Sequence, residues 1–202
     1  MNAREQTMEQ DLALLIQEAC LAGATEVKRV APAAIVVEDR LAGYCREPQC
    51  PNFGLSPSCP PHVAGPVGFL QLRDRSRAAL VIRLEVPSAV LFSDERREVM
   101  RLLHEITAGV ERSAVARGYS DSRAFAGGSC KDLFCQEHLV CQVLGGGGKC
   151  RNPLHARPSM SGFGIHVAKM LEAAGCSGEK VTEPVRAGVE TMSWLAGLVL
   201  IA

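Results

Sequence analysis

The sequence predicts an α/β or α+β fold, a single sheet flanked by helices, and three observations carry that expectation. Helical and strand-like periodicities alternate along the chain. One segment, AALVIRLEV at 78–86, is almost continuously apolar, as a strand covered on both faces must be. The 202 residues, 47% of them hydrophobic, suffice to bury one core, and no linker or low-complexity tract divides them, so one domain spanning 1–202 is expected.

Residues 9–23 place Leu12, Leu15, Ile16 and Ala19 at helical spacing and end in Gly23, which suits the position after a helix. TEVKRV and AAIVVED follow, two β-branched runs separated by Pro32 that read as strands. A first cysteine-rich loop comes directly after them. Residues 63–76 carry Phe69, Leu70 and Leu72 in a short helix leading away from that loop, and 78–86 is the central strand. Ser93 is placed to cap a long helix with Asp94 and Glu95 in its first turn. Val99, Leu102, Leu103, Ile106 and Val110 form its apolar stripe, and Gly118 stops it. SDSRAFAGG reads as a strand delivering the chain to a second cysteine-rich loop, 160–174 as a helix ending at Gly175, and TMSWLAGLVLIA as the last strand. Each cysteine loop thus falls between a strand and a helix, a recurrence compatible with two weakly similar halves, about 1–90 and 91–202. If the strands preceding the loops are parallel, both loops reach the same end of the sheet.

Seven of the nine cysteines lie in these loops, Cys45, Cys50 and Cys59 in the first and Cys130, Cys135, Cys141 and Cys150 in the second. CREPQC and CKDLFC each set two cysteines five positions apart, and CPNFGLSPSC and CQVLGGGGKC each set two nine apart. Surrounding Pro, Gly, Ser and Asn bend the backbone, so that several sulfurs can converge.

Lys+Arg and Asp+Glu balance at 22 each and aromatic residues make up 4%, so neither a global field nor stacking platforms suit nucleic acid. The N-terminal stretch lacks the basic start and apolar body of a secretory signal, and LAGLVLIA falls short of the about 20 apolar residues that span a bilayer. A cytoplasmic protein without a membrane partner is expected. Thiols stay reduced there, so clustered cysteines read as metal-binding or catalytic, not as a disulfide framework.

Structural zinc takes four tetrahedral ligands, and Cys130, Cys135, Cys141 and Cys150 could supply them, but zinc sites usually use close C-x2–4-C pairs at each end, and only the C-x4-C pairs fit. An iron–sulfur cluster spreads its ligands over several irons, which suits wider spacings, and [4Fe-4S] is the preferred cofactor with zinc as the alternative. Pro60 and Pro61 after Cys59 match the proline that follows ferredoxin ligands. GGGG at 145–148 either lets backbone approach a bulky inorganic group or forms a flexible surface loop. Lys149, Arg151 and Arg157 offer positive charge around the second loop. The first loop has only three cysteines, so either one metal position is open or is filled by another ligand, with His62 nearest in sequence, or all seven thiolates feed one composite site where the loops meet. Cys20 and Cys176 read as small core residues, His104 as a partly buried or surface histidine, and His138 and His155 as loop histidines that usually do not ligate. Nucleotide and hydrolase motifs are absent, and no catalytic residue stands out. The expected partner is a redox protein or a small molecule.

CPNFGLSPSCPPHV, GGSCKDLFC and CRNPLHARPSMSGFGI resemble a family of uncharacterised prokaryotic proteins labelled predicted metal-binding protein, a domain of unknown function. The resemblance covers most of the chain and implies metal binding through the seven clustered cysteines. Pro60, Pro61, Arg151, Pro153, Arg157, Pro158 and Ser159 belong to the matching motifs. In that family a tyrosine is common where Phe53 stands, a histidine where Asn152 stands and an aspartate where His166 stands. The last two changes argue against those positions as obligatory ligands or acid–base groups.

Overall fold

The apolar run at 78–86 forms the middle of the molecule because both its faces find cover. The computed structural model describes residues 3–46, 50–176 and 191–202. Among these, the chain forms α1 (Ala3–Leu21), β1 (Glu26–Val30), α2 (Asp39–Gly43), α3 (Gly65–Arg75), β2 (Ala78–Pro87), α4 (Ser88–Leu91) and α5 (Arg96–Ala116). It continues through β3 (Arg123–Phe125), α6 (Cys130–Phe134), α7 (Gln142–Gly146), α8 (Val167–Ala173) and β4 (Met192–Ile201). Eight helices surround one open antiparallel sheet of order β1-β2-β4-β3, an α+β fold.

Strand side chains alternate between the two faces, and each face meets its own helical layer. Leu80, Ile82 and Leu84 of β2 and Val199 and Ile201 of β4 pack with α1 and α5, which bring Leu12, Leu15, Leu103 and Ile106. Ala79 and Val81 of β2 and Leu198 and Leu200 of β4 pack on the other face with Phe69 of α3 and Met170 of α8. There Phe69 and Phe163 stand edge-on to Phe125 at centroid distances of 5.3 and 5.0 Å, arrangements that add about 0.5–1.5 kcal/mol each beyond buried area.

Gly197 sets how closely α5 can cross β4. A Cβ there would lie 2.4 Å from Thr107 Cγ2 and 3.2 Å from Phe125 O. Thr107 cannot yield, because it is fully buried and its hydroxyl donates to Leu103 O at 2.9 Å. Gly197→Ala is expected to cost about 1–3 kcal/mol, the usual range for overpacking, read as a lowered urea midpoint with unchanged slope.

Several expectations change in detail. AAIVVED does not form a strand: Pro32–Ala34 make a 3-10 turn, Ile35 drops into the core, and Val37 makes an isolated bridge to Ile165. Proline at the start of the turn favours it over an extended ladder. Ser93 accepts from Glu95 N at 3.2 Å, ahead of α5, which starts at Arg96. The helix expected over 160–174 is broken into a 3-10 turn, Met160–Phe163, and α8. Gly164 breaks it, with φ of +70° and Glu38 O only 2.7 Å from where a Cβ would stand.

The strands preceding the two cysteine loops are antiparallel, not parallel, since β1, β2, β4 and β3 alternate in direction. β1 ends with Val30 opposite Ala79 at the start of β2, whereas β3 starts at the same end, opposite Leu200, and runs toward Leu198 in the direction opposite to β1. The loops nonetheless meet, because the chain after β1 returns along the sheet through Ile35, the Val37–Ile165 bridge and α2. Helix, strand, cysteine loop, helix, strand is the order of 3–87 and again of 96–201. No helix among the described residues is long and apolar enough to cross a membrane.

Candidate metal centre

Consecutive turns shape the first loop. Phe53 N donates to Cys50 O, Cys59 N to Ser56 O and His62 N to Cys59 O, while Gly54 N closes the loop on Pro60 O at 2.7 Å. Residues 47–49, between Cys45 and Cys50, lie outside the described residues. Cys45, Cys50 and Cys59 line one side of a cavity of about 340 Å³. Met100 and Leu103 of α5, Trp194 of β4 and the glycines after β3 line the rest.

The second loop is built from two short helices. Ser129 caps α6 by accepting from Lys131 N, which places Cys130 in the first turn and Cys135 just past the last. Cys141 precedes α7, and Gly147, at φ +67°, ends it. Cys130, Cys135, Cys141 and Cys150 line a second cavity of about 250 Å³, together with Lys131, Arg151 and Asn152. Asn152 serves the sulfurs directly: its Nδ2 donates to Cys135 Sγ at 3.3 Å and its backbone N to Cys150 Sγ at 3.4 Å.

The loops interlace. Ser56, Pro57 and Ser58 of the first loop line the four-cysteine cavity, and Gly127, Gly128 and Ser129, leading into the second, line the three-cysteine cavity. Cys59 Sγ donates to Ser129 Oγ at 3.3 Å, next to Cys130. The two buried cysteines, Cys59 and Cys130, therefore belong to the wall between the cavities.

Burial pushes the Cys45 thiol up to about 11, and the neighbouring Cys50 and Cys59 sulfurs add to the rise by charge repulsion. Burial also raises Cys130; hydrogen bonds from Ser56 and Ser58 oppose that rise, and Cys59 and Cys150 add to it. Like charges collected in a sheltered site stay protonated unless a cation holds them. The arrangement fits a thiolate-bound metal group on that chemistry and on two further observations. Asn152 already aims N–H donors at sulfur, as outer partners of metal ligands do. Ser56 is fully buried, its hydroxyl has no hydrogen-bond partner of normal geometry among the described residues, and it is placed to donate to the thiolate form of Cys130. Among the described residues, no three Cys, His, Asp or Glu side chains gather closely enough to hold a single ion; the sulfurs are distributed around the cavities.

Behind the cavities, His104 is fully buried, contrary to the expected partly exposed position. Its Nδ1 accepts from Arg157 N at 3.2 Å, so Nε2 carries the proton and donates to Gly127 O at 2.9 Å. The ring thus ties α5 to the segments on either side of the second cysteine loop. Arg157, expected as free positive charge near the sulfurs, is instead paired with Glu111, which also accepts from Ala124 N at 3.0 Å. Burial lowers the His104 pKa. The unfolded chain takes up a proton near the ordinary value, about 6.5, and the folded chain does not until lower pH. Stability is therefore lost as pH falls below about 6.5, by at most about 1.4 kcal/mol per pH unit for one group. His104→Gln is expected to flatten that part of a thermal-midpoint profile taken between pH 7 and 5.

The remaining sequence candidates lie elsewhere. His62 is exposed and its Nε2 faces Gly54 O at 3.3 Å, outside the three-cysteine cavity. His138 is exposed, and His155 stacks on Phe134 with its Nδ1 buried and without a hydrogen-bond partner among the described residues. The 145–148 glycines end α7 and line neither cavity. Cys20 is exposed rather than in the core, because it lies on the outer side of α1, and Cys176 is half-buried against the core. His166 caps α8 by accepting from Lys169 N. Sequence reasoning missed Arg96 and Lys131. Lys131 follows Cys130 directly and donates to Cys135 O at 2.9 Å, so its neighbour was a signal; Arg96 had none.

An α+β chain that rims two adjoining cavities with seven cysteines defines a cysteine-rich protein with its sulfur donors gathered in two loops. The chain belongs to the family described as predicted metal-binding protein (DUF2284), which it matches over residues 28–201. No curated protein and no solved structure gives a significant match.

Proposed function

We propose that this protein is an iron–sulfur protein in which Cys130, Cys135, Cys141 and Cys150 hold one [4Fe-4S] cluster and Cys45, Cys50 and Cys59 hold a second with an open position. The observation that carries the reading is the distribution of sulfurs around cavities of about 250 and 340 Å³. A single zinc ion needs its sulfurs at about 2.3 Å from one point, whereas a cluster fills a volume and takes ligands from around it. Such a group supplies one-electron transfer and, at an open iron, Lewis acidity.

The chain's own residues bind, orient and shelter. Asn152 holds Cys135 and Cys150 in place, and Ser56 and Ser58 offer hydroxyl donors to Cys130. Lys131 and Arg151 offset negative charge beside the four thiolates. Met100, Leu103 and Trp194 keep water from the three-cysteine side. In this reading the four-cysteine site exchanges electrons with a redox partner, and a small molecule reacts at the three-cysteine site, in the cytoplasm.

Anaerobic purification followed by iron, zinc and acid-labile sulfide analysis tests it. Iron and sulfide in matching amounts are expected. Colourless protein with stoichiometric zinc and no sulfide would overturn the cluster and leave the zinc alternative, in which the metal fixes the loops for protein binding.

A further inference from the structure

The three-cysteine cavity holds more than sulfur. At about 340 Å³ it is of the size of small-molecule sites, and the four-cysteine cavity, at about 250 Å³, is somewhat smaller. It also continues outward: Ser161, Val167 and Trp194 line both this cavity and an open surface groove of about 410 Å³ that includes Tyr44 and His166. Its lining sets apolar side chains beside Asn52, Ser129, Ser159 and Ser161, a mixture that suits an organic ligand with a polar end.

One charged group stands on that lining among the described residues, Arg96. It occupies the first position of α5, where the helix dipole disfavours a cation. Its side chain is exposed at the rim of the cavity and makes no hydrogen bond or ion pair with a described residue, although Asp94 and Glu95 are close in sequence. A lone guanidinium beside an apolar wall is a receptor for a singly charged, planar anion, which it can grip through two N–H donors. A dianion would leave one charge uncompensated, since no second cation lines the cavity among the described residues.

We propose that the three-cysteine cavity binds a small organic carboxylate, with its carboxylate on Arg96 and its apolar body along Met100 and Trp194. The site deepens the metal reading by naming the class of molecule brought beside Cys45, Cys50 and Cys59. The chain has a single tryptophan, Trp194, so its fluorescence reports on this wall alone.

The test uses anaerobically purified full-length protein of measured metal content, titrated with hexanoate, 1-hexanol and hexyl phosphate by calorimetry and tryptophan fluorescence. Hexanoate should bind saturably with a change at Trp194 and more tightly than the other two. Arg96→Gln should weaken hexanoate binding about tenfold, the loss of one charge-assisted contact, without changing metal content. Arg97→Gln, exposed one residue away and outside the lining, should leave it unchanged. Equal hexanoate binding by wild type and Arg96→Gln, or no binding at all, overturns the proposal; tighter binding of hexyl phosphate overturns the carboxylate assignment. Arg96-dependent binding in protein that holds zinc or no metal would uphold this site while the cluster reading falls. Iron and sulfide without hexanoate binding would do the reverse.

Discussion

Cys141→Ala is expected to empty the four-cysteine cavity of metal while the three-cysteine cavity keeps its own. Cys141 lines only the former, so removing its sulfur leaves the wall shared with Cys59 intact. Losing an outer partner of a metal ligand costs about 10- to 100-fold in affinity, and loss of a ligand itself should exceed that. The comparison is Cys20→Ala, an exposed thiol outside both cavities, which should change nothing. Metal and sulfide retained after a chelator challenge decide the matter. Equal loss from both variants would overturn the division of the cysteines into seven ligands and two others, and full retention by Cys141→Ala would show that bound metal does not depend on Cys141.

Gly164→Val should be the most damaging substitution away from sulfur. The left-handed backbone at φ +70° costs a branched residue about 1–2 kcal/mol, and the approach of Glu38 O to 2.7 Å adds an overpacking cost of about 1–3 kcal/mol. Gly175 separates the two terms. It has the same φ but nothing among the described residues within 4 Å of its would-be Cβ, so Gly175→Val should show only the conformational cost. Urea denaturation of both variants reads the difference. The consequence reaches the candidate site, because Glu38 N bonds Gly164 O and His166 N bonds Val36 O. These bonds guide the chain back along the sheet to the first cysteine loop. Gly164→Val should therefore lower metal retention at Cys45, Cys50 and Cys59 before it affects Cys141 and Cys150.

Much of the scaffold could be read from the chain because burial leaves a pattern. The uninterrupted apolar residues of β2 and β4 announce strands covered on both sides, and the stripe from Val99 to Val110 announces α5. Strand direction left no such mark, since a doubly covered strand looks alike in parallel and antiparallel sheets. AAIVVED misled because its β-branched residues serve single contacts, Ile35 in the core and Val37 in one bridge, rather than a ladder. Gly164 was visible as a residue, but its role depends on a carbonyl 126 positions earlier in the chain.

The candidate site divides in the same way. The cysteines were legible because clustered thiols are rare and their spacing repeats. His104 was not: its burial depends on Gly127 and Arg157 arriving from other segments. Arg96 carries no motif at all, and only the tertiary fold brings it to the lining with Trp194.

The exchange of wall segments between the loops limits how this protein can be divided. Residues 56–58 belong to the first loop by sequence and to the second cavity by position; 127–129 show the reverse. Neither loop is a cassette that can be cut out and grafted onto another scaffold with its cavity complete. A transplanted Cys130–Cys150 segment would lack the Ser56–Ser58 side of its enclosure, and a transplanted Cys45–Cys59 segment would lack the glycines and Ser129 that face it.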